Sequence, residues 1–299
     1  MKILVTGATG FVGRQLAAHL REAGHVAVET PRSSELDIAN ADAVLSMVRD
    51  EQPDAIAHLA GVSNSRTTDL WEAMRVNHDG TRNVMDAVRQ LKRAVPVLVT
   101  GSSEVYGNPN PDDLPLSESA PTRPRKPYAV SKLAQESVAL DLGRRHDIPV
   151  VVTRSFNHIG PGERAKNVAR SFAVQIRDQK LAGRREVAVG NLEIEKDFGD
   201  VRDFVRAYRL LIEGLAAGTV PTCLAVNVAT GRAASVRDIL EMLGSIAGID
   251  PLPVENRDFF RDAEPPRIVG NASLLRALTG WSPEFSLRDT LRDLYVSLT

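Results

Sequence analysis

The stretch Met1-Lys2-Ile3-Leu4-Val5-Thr6-Gly7-Ala8-Thr9-Gly10-Phe11-Val12-Gly13 limits what this chain can fold into more than any other. A short apolar run, Ile3-Leu4-Val5, breaks into glycines at positions 7, 10 and 13. A helical pattern of Phe11, Val12, Leu16, Ala17 and Leu20 follows at once. A buried strand, a glycine turn and a helix in that order make a phosphate site, because the helix N-terminus carries unpaired N–H groups and the positive end of the macrodipole. Glycines let the backbone approach a pyrophosphate with no Cβ in the way. The spacing is Gly-x-x-Gly-x-x-Gly rather than Gly-x-Gly-x-x-Gly, and glycines in a turn are common. Their place between a strand and a helix is what argues for a dinucleotide. Gly7, Thr9, Gly10, Phe11, Val12 and Gly13 are therefore the expected cofactor turn.

The alternation continues along the chain. Strands are expected at 26–28, 55–59, 97–100 and 150–152, and helices over 43–48, 68–91 and 128–145. This pattern argues an α/β fold, a Rossmann-like doubly wound parallel sheet with right-handed crossovers. A chain of 299 residues with 43% hydrophobic content has room for a smaller second lobe. The expected division is a dinucleotide-binding domain over 1–155, rejoined by 200–230, and a C-terminal α/β substrate lobe over most of 156–299.

Composition excludes several classes of function. The 37 basic and 38 acidic residues leave a net charge of -1. No nucleic-acid or membrane surface is expected, and an anionic ligand has to be met by a few placed side chains. The one cysteine, Cys223, excludes an internal disulfide and a cysteine zinc cluster. In its apolar context it reads as inert packing in a reducing compartment, and no metal is expected. The run after Lys2 is too short for a signal peptide, and no apolar run approaches the roughly 20 residues of a membrane span. A cytoplasmic protein is expected.

In a doubly wound sheet the ligand lies at the carboxyl ends of the strands. After the second strand, Thr30-Pro31-Arg32-Ser33-Ser34 has no acid at its tip for a ribose 2′-hydroxyl. Arg32 suits a 2′-phosphate, which favours NADP(H) over NAD(H); a solvated turn residue is the other reading. Asp37 and Ile38 are placed to flank the adenine, unless Asp37 caps the next helix. The small side chains of Leu59-Ala60-Gly61 would let a dinucleotide lie along the sheet edge. Asn77, inside a helical stretch, has to satisfy its amide against neighbouring backbone first and supports the cofactor second.

The fourth strand ends in Gly101-Ser102-Ser103-Glu104, and a polar, proline-rich loop leads to Tyr128-Ala129-Val130-Ser131-Lys132. Residues four apart on a helix share a face. Reducing or oxidising a carbonyl carbon needs a proton donor or acceptor beside the hydride path. A tyrosine serves best when a nearby ammonium stabilises its phenolate and lowers its pKa. Ser102 can hold the substrate oxygen. Tyr-x-x-x-Lys alone is often a solvent-facing pair; here it follows the fourth strand of a sheet that begins with a glycine turn, which gives the catalytic reading.

On the glycine turn, Ser102-Ser103-Glu104, Tyr128-x-x-x-Lys132 and Gly280-Trp281-Ser282-Pro283, the chain resembles the extended short-chain dehydrogenase/reductases, the NAD-dependent epimerase/dehydratase family, over nearly its whole length. The resemblance implies a catalytic triad of Ser102, Tyr128 and Lys132, with Tyr128 and Lys132 also touching the cofactor. It implies a second part that binds a nucleotide sugar, and a homodimer formed through the helices at 68–91 and 128–145. Segments 155–162, 189–193, 197–203 and 260–264 resemble those of members that act on GDP-mannose derivatives. This implies NAD(P)H-dependent reduction of the C4 ketone of GDP-4-keto-6-deoxy-D-mannose.

The substrate contacts so implied are Ser103, Asn157, Asn167, Val168, Asn191, Leu192, Lys196, Arg202, Arg261 and Glu264. Lys196 and Arg261 would meet the diphosphate, Asn191 and Leu192 the guanine, and Glu264 the ribose hydroxyls. Asn157 would hold a sugar hydroxyl or the nicotinamide end, or is a plain turn residue. The resemblance calls for an arginine before Asp197-Phe198; Lys196 keeps the charge but loses the bidentate fork. Glu104 is ambiguous. A glutamate two residues after the triad serine is the acid/base of 4,6-dehydratases, and GDP-deoxymannose reductases retain one too. A GDP-mannose 4,6-dehydratase, another nucleotide-sugar epimerase or reductase, and a non-catalytic NADP-sensing protein are the alternatives.

Overall fold

The computed structural model describes residues 1–62, 69–164, 167–260 and 264–298. In chain order the strands are β1 (Lys2–Thr6), β2 (Val26–Glu29), β3 (Ala55–His58), β4 (Val97–Thr100), β5 (Val150–Ser155), β6 (Asn157–Ile159), β7 (Glu186–Val189), β8 (Glu195–Asp200), β9 (Leu224–Val228), β10 (Ala233–Ser235), β11 (Leu252–Glu255) and β12 (Arg267–Ile268). The helices are α1 (Phe11–Glu22), α2 (Ala41–Glu51), α3 (Leu70–Met74), α4 (Gly80–Gln90), α5 (Pro127–His146), α6 (Val168–Leu181), α7 (Val201–Ala217), α8 (Val236–Ala247), α9 (Ser273–Thr279) and α10 (Leu287–Val296).

Six strands form one all-parallel sheet in the order β2-β1-β3-β4-β5-β9. Its central strands are apolar on both faces, as a parallel sheet covered by helices on both sides requires. Alternate side chains enter opposite cores: Ile3, Val5 and Leu98 face α7, while Leu4, Ile56, Val97 and Val99 pack with residues of α2, α4 and α5. Each fully buried aliphatic side chain contributes about 1.5–3 kcal/mol. The strand order reverses between β1 and β3, which opens a crevice at their carboxyl ends.

Beyond β5 the chain builds a second layer. Strand β8 pairs with β6, β10 and β12, and β7 pairs with β11. Phe172, Ile176, Leu240, Leu243 and Leu294, from α6, α8 and α10, close a separate core over it. Helix α7 and strand β9 belong instead to the large sheet, as does Trp281. The Trp281 indole N–H donates to the Asp203 carbonyl at 2.9 Å. The Asp203 carboxylate accepts the backbone N–H groups of Glu284 and Phe285. Gly280-Trp281-Ser282-Pro283 is thus a latch that holds the C-terminal segment onto α7.

The helical stretch expected at 68–91 is α3, a five-residue π turn (Arg75–Asp79) and α4, with residue 68 outside the described residues. Helix α2 starts earlier than expected, because Asn40 accepts the Ala43 N–H as its cap. Asp37 is therefore not a helix cap; it accepts the Ala39 N–H and pairs with Arg75 at 2.7 Å. Among the described residues no helix is long and apolar enough to cross a membrane.

Candidate active site

A cleft of ≈ 1730 Å³ runs from the glycine turn past Ser102 and Tyr128 to Lys196 and Glu264 in the second lobe. Pockets for single small ligands are about 300–1,000 Å³, so this one has room for a dinucleotide and a second nucleotide.

The turn at its floor is shaped for close backbone approach. Gly7 has φ +70°, and a Cβ there would lie 2.7 Å from the Ala60 nitrogen. A Cβ on Gly13 would lie 2.2 Å from the Gly7 oxygen. The Gly10 N–H closes the turn onto that same oxygen at 3.0 Å. Helix α1 then begins with no side-chain cap and no acidic residue in its first turn. Asn167, Asp200, Ser235 and Ser286, by contrast, cap their own helices with their side chains. Uncapped N–H groups at the positive end of a helix fit a pyrophosphate. Thr9, Phe11, Val12, Asp37, Ile38, Leu59, Ala60 and Gly61 all line the same cleft. Pro31 and Ser33 line its rim, while Arg32 between them is exposed.

Ser102 leads a short 3-10 turn, Ser103–Tyr106, and its Oγ accepts the Glu104 N–H at 3.2 Å. Its hydroxyl hydrogen-bonds the Tyr128 phenol. Tyr128 enters from the first turn of α5, which starts on Pro127. Lys132, one turn on, places Nζ 6.0 Å from the Tyr128 ring centroid. Nζ donates to the Thr100 carbonyl at 2.9 Å and to Gln135 Oε1 at 2.8 Å.

Burial drives the phenol well above its usual range; the Ser102 bond opposes this and the nearby Glu104 charge adds to it. Burial also pulls Lys132 down to about 7. The expected lowering of the tyrosine pKa by Lys132 is therefore not present in the protein alone. The ammonium is turned toward Thr100 and Gln135, and its own charge is weakened by desolvation.

The expected substrate residues divide. Ser103, Glu104, Asn157, Asn167, Val168, Asn191, Lys196 and Glu264 line the cleft. Asn157 donates to the Asp197 carbonyl at 3.2 Å. Asn167 caps α6, accepting the Arg170 N–H, and donates to Glu163. Lys196 and Glu264 form an ion pair with each other. Leu192 does not line the cleft. It packs in the second core with Ile194 and Phe198, where an apolar side chain gains most, while its neighbour Asn191 faces the cleft. Arg202 is not in the cleft either. It bridges Asp200 at 2.7 Å and Asp293 at 2.8 Å and lies over the Phe285 ring at 3.8 Å. Two carboxylates and an aromatic face engage its guanidinium. Arg261 lies outside the described residues.

Two residues were missed by the sequence reading. Glu163 is buried in the cleft wall, its Oε2 has no hydrogen-bond partner among the described residues, and burial raises it to about 7. An acid directly after Gly160-Pro161-Gly162 was the only signal for it. Gln135 holds the Lys132 ammonium, and its place one turn beyond that lysine was readable.

Residues 3–229 match the NAD dependent epimerase/dehydratase family. The chain is 36% identical to GDP-6-deoxy-D-mannose reductase of Pseudomonas aeruginosa, over 97% of its own length and 95% of the relative's. It is 29% identical to GDP-6-deoxy-D-talose 4-dehydrogenase of Aggregatibacter actinomycetemcomitans, over 99% of this chain and 97% of that one. The solved structure of RMD from Pseudomonas aeruginosa complexed with NADPH matches with a TM-score of 0.90 at 32% identity, covering 99% of this chain and 98% of that chain. The glycine turn, the parallel sheet and the cleft thus stand in a chain that belongs to the NAD dependent epimerase/dehydratase family.

Proposed function

We propose that the protein is an NADP(H)-dependent oxidoreductase that reduces the C4 ketone of GDP-4-keto-6-deoxy-D-mannose to GDP-6-deoxy-D-mannose (GDP-D-rhamnose). The observation that carries this is the convergence of Ser102 and Tyr128 on one large cleft, with the buried Lys132 Nζ 6.0 Å from the Tyr128 ring centroid, in a chain similar end to end to a GDP-6-deoxy-D-mannose reductase. NADPH, when bound, supplies the hydride. The glycine turn and the N-terminus of α1 hold its pyrophosphate. Ser102 steadies the ketone oxygen, and Tyr128 gives its proton to the developing alkoxide. A phenol whose burial keeps it protonated at neutral pH suits a donor. Lys132 supplies positive charge beside the tyrosine. Lys196 is the cation offered to the substrate diphosphate, and Glu264 accepts from the ribose.

Glu104 favours a second reading, a GDP-mannose 4,6-dehydratase, because it lines the cleft near Tyr128. One pair of assays separates them. The reductase consumes NADPH absorbance with GDP-4-keto-6-deoxy-D-mannose and forms GDP-D-rhamnose. A dehydratase instead forms a keto-sugar from GDP-mannose without added NADPH, and a 6-deoxy-talose product would reverse the stereochemistry at C4. Tyr128→Phe lowers turnover by about 10²–10⁴-fold; turnover equal to the parent would sink any catalytic reading.

A homodimer in the cytoplasm belongs to the same proposal. Helices α3 and α5 pack side by side and leave Trp71 and Val130 exposed. Sedimentation of the parent and of Trp71→Glu tests it, with a monomeric parent as the contrary result.

A further inference from the structure

Lys132 begins a line of buried hydrogen bonds. An ammonium has no acceptor, so Gln135 turns its oxygen to Lys132 and its NH₂ group to Thr81. Gln135 Nε2 lies 2.9 Å from Thr81 Oγ1. Thr81 Oγ1 is 3.0 Å from His58 Nε2. His58 Nδ1 is 2.7 Å from Thr6 Oγ1, which accepts the Ala60 N–H at 3.1 Å. Gln135, Thr81 and His58 are 0% exposed and Thr6 1%, so water cannot substitute for any of these bonds.

Burial and the nearby Lys132 charge hold His58 neutral, down to about 3. One of its two nitrogens therefore carries a proton. Thr81 already accepts from Gln135, and giving its own proton to His58 Nε2 leaves no bond unmade there. His58 then donates from Nδ1 to the Thr6 hydroxyl, at the end of the strand that leads into the glycine turn. In this arrangement every donor points away from Lys132. The bond dipoles present their negative ends to the ammonium and reinforce one another.

We infer that Gln135, Thr81 and His58 are positioning residues for the Lys132 ammonium, a relay of oriented hydrogen bonds that keeps it charged beside Tyr128 and joins it to the glycine turn. The inference rests on the reading of Lys132 as a catalytic residue. The titratable groups beside the lysine are His58 on β3 and Tyr128 on its own helix, and Glu104 beyond β4 acts on Tyr128.

The test compares the parent with Gln135→Met, close in shape but without the amide, and with Gln135→Glu. Lysine titration is followed by NMR of protein labelled at lysine Cε, which needs no turnover. The kcat is followed through NADPH oxidation with the keto-sugar across neutral and alkaline pH. In Gln135→Met, Lys132 loses its proton at lower pH, kcat falls on the order of tenfold, and the alkaline limb of kcat moves to lower pH with NADPH affinity retained. Gln135→Glu returns that limb to the parent position or beyond, because a carboxylate favours the ammonium. Coincident lysine titrations in folded parent and Gln135→Met overturn the inference, and so does a lowered kcat whose alkaline limb has not moved. Should Gln135→Met fail to fold, Thr81→Val removes the next link and is read the same way. A parent without ketone reduction defeats the proposed function instead, and the lysine titration then decides the relay by itself.

Discussion

The Asn77 amide donates to the Ser131 hydroxyl at 2.8 Å, and its Oδ1 accepts the Val62 N–H at 2.9 Å. Ser131 passes the link on to the Tyr128 carbonyl at 2.8 Å. Asn77 sits in the π turn between α3 and α4, fully buried. Such turns re-aim a side chain within an otherwise regular helix. Here one amide ties the segment after β3 to the helix that carries Tyr128 and Lys132.

Asn77→Leu leaves the Val62 N–H and the Ser131 hydroxyl without this partner in a buried site. Stability should fall by about 2–4 kcal/mol, measured by urea unfolding, with weaker NADPH binding by fluorescence titration. Unfolding midpoints equal to the parent would show that the amide is dispensable.

Gly13→Ala tests the cofactor turn. The added methyl would stand 2.2 Å from the Gly7 oxygen, so the turn must open. NADPH affinity should drop at least about tenfold, equivalent to about 1.4 kcal/mol, as the N–H groups lose their alignment. Unchanged affinity in the titration would mean that the pyrophosphate lies elsewhere.

Arg202→Met should damage stability and spare the substrate. Asp200, fully buried as a side chain, loses its charge partner but keeps the Thr290 hydroxyl. The expected loss is about 3–5 kcal/mol in denaturant unfolding, with KM for the nucleotide sugar unchanged. A raised KM with parental stability would return Arg202 to the substrate site.

Glu163→Gln should make stability less dependent on pH. The folded carboxyl is raised by burial from 4.5 to about 7. Its contribution is therefore fully present below pH 4.5 and is lost as pH rises through about 7. The glutamine cannot ionise, so the variant gains on the parent over that window, by about 3 kcal/mol at most. Parallel stability curves for the two proteins, measured from pH 4.5 to above 7, would contradict the buried, protonated carboxyl.

Periodicity and local chemistry by themselves determined the alternating strands and helices, the glycine turn before α1, and the shared face of Tyr128 and Lys132. Each of those rests on residues within a turn or two of one another, where backbone geometry leaves few choices. Tertiary structure alone decided the rest. The resemblance implied Arg202 as a substrate contact; its guanidinium pairs instead with Asp200, two residues away, and with Asp293, 91 residues away. Leu192 and Asn191 are neighbours in the turn between β7 and β8 whose fates diverged because one side chain packs into a core and the other lines the cleft. Lys132 was placed correctly on its helix, but its charge depends on burial and on Gln135, Thr81 and His58. A charged or polar side chain is satisfied by whatever distant segments bring within about 3 Å of it, and that is known only once the sheet and both cores have closed.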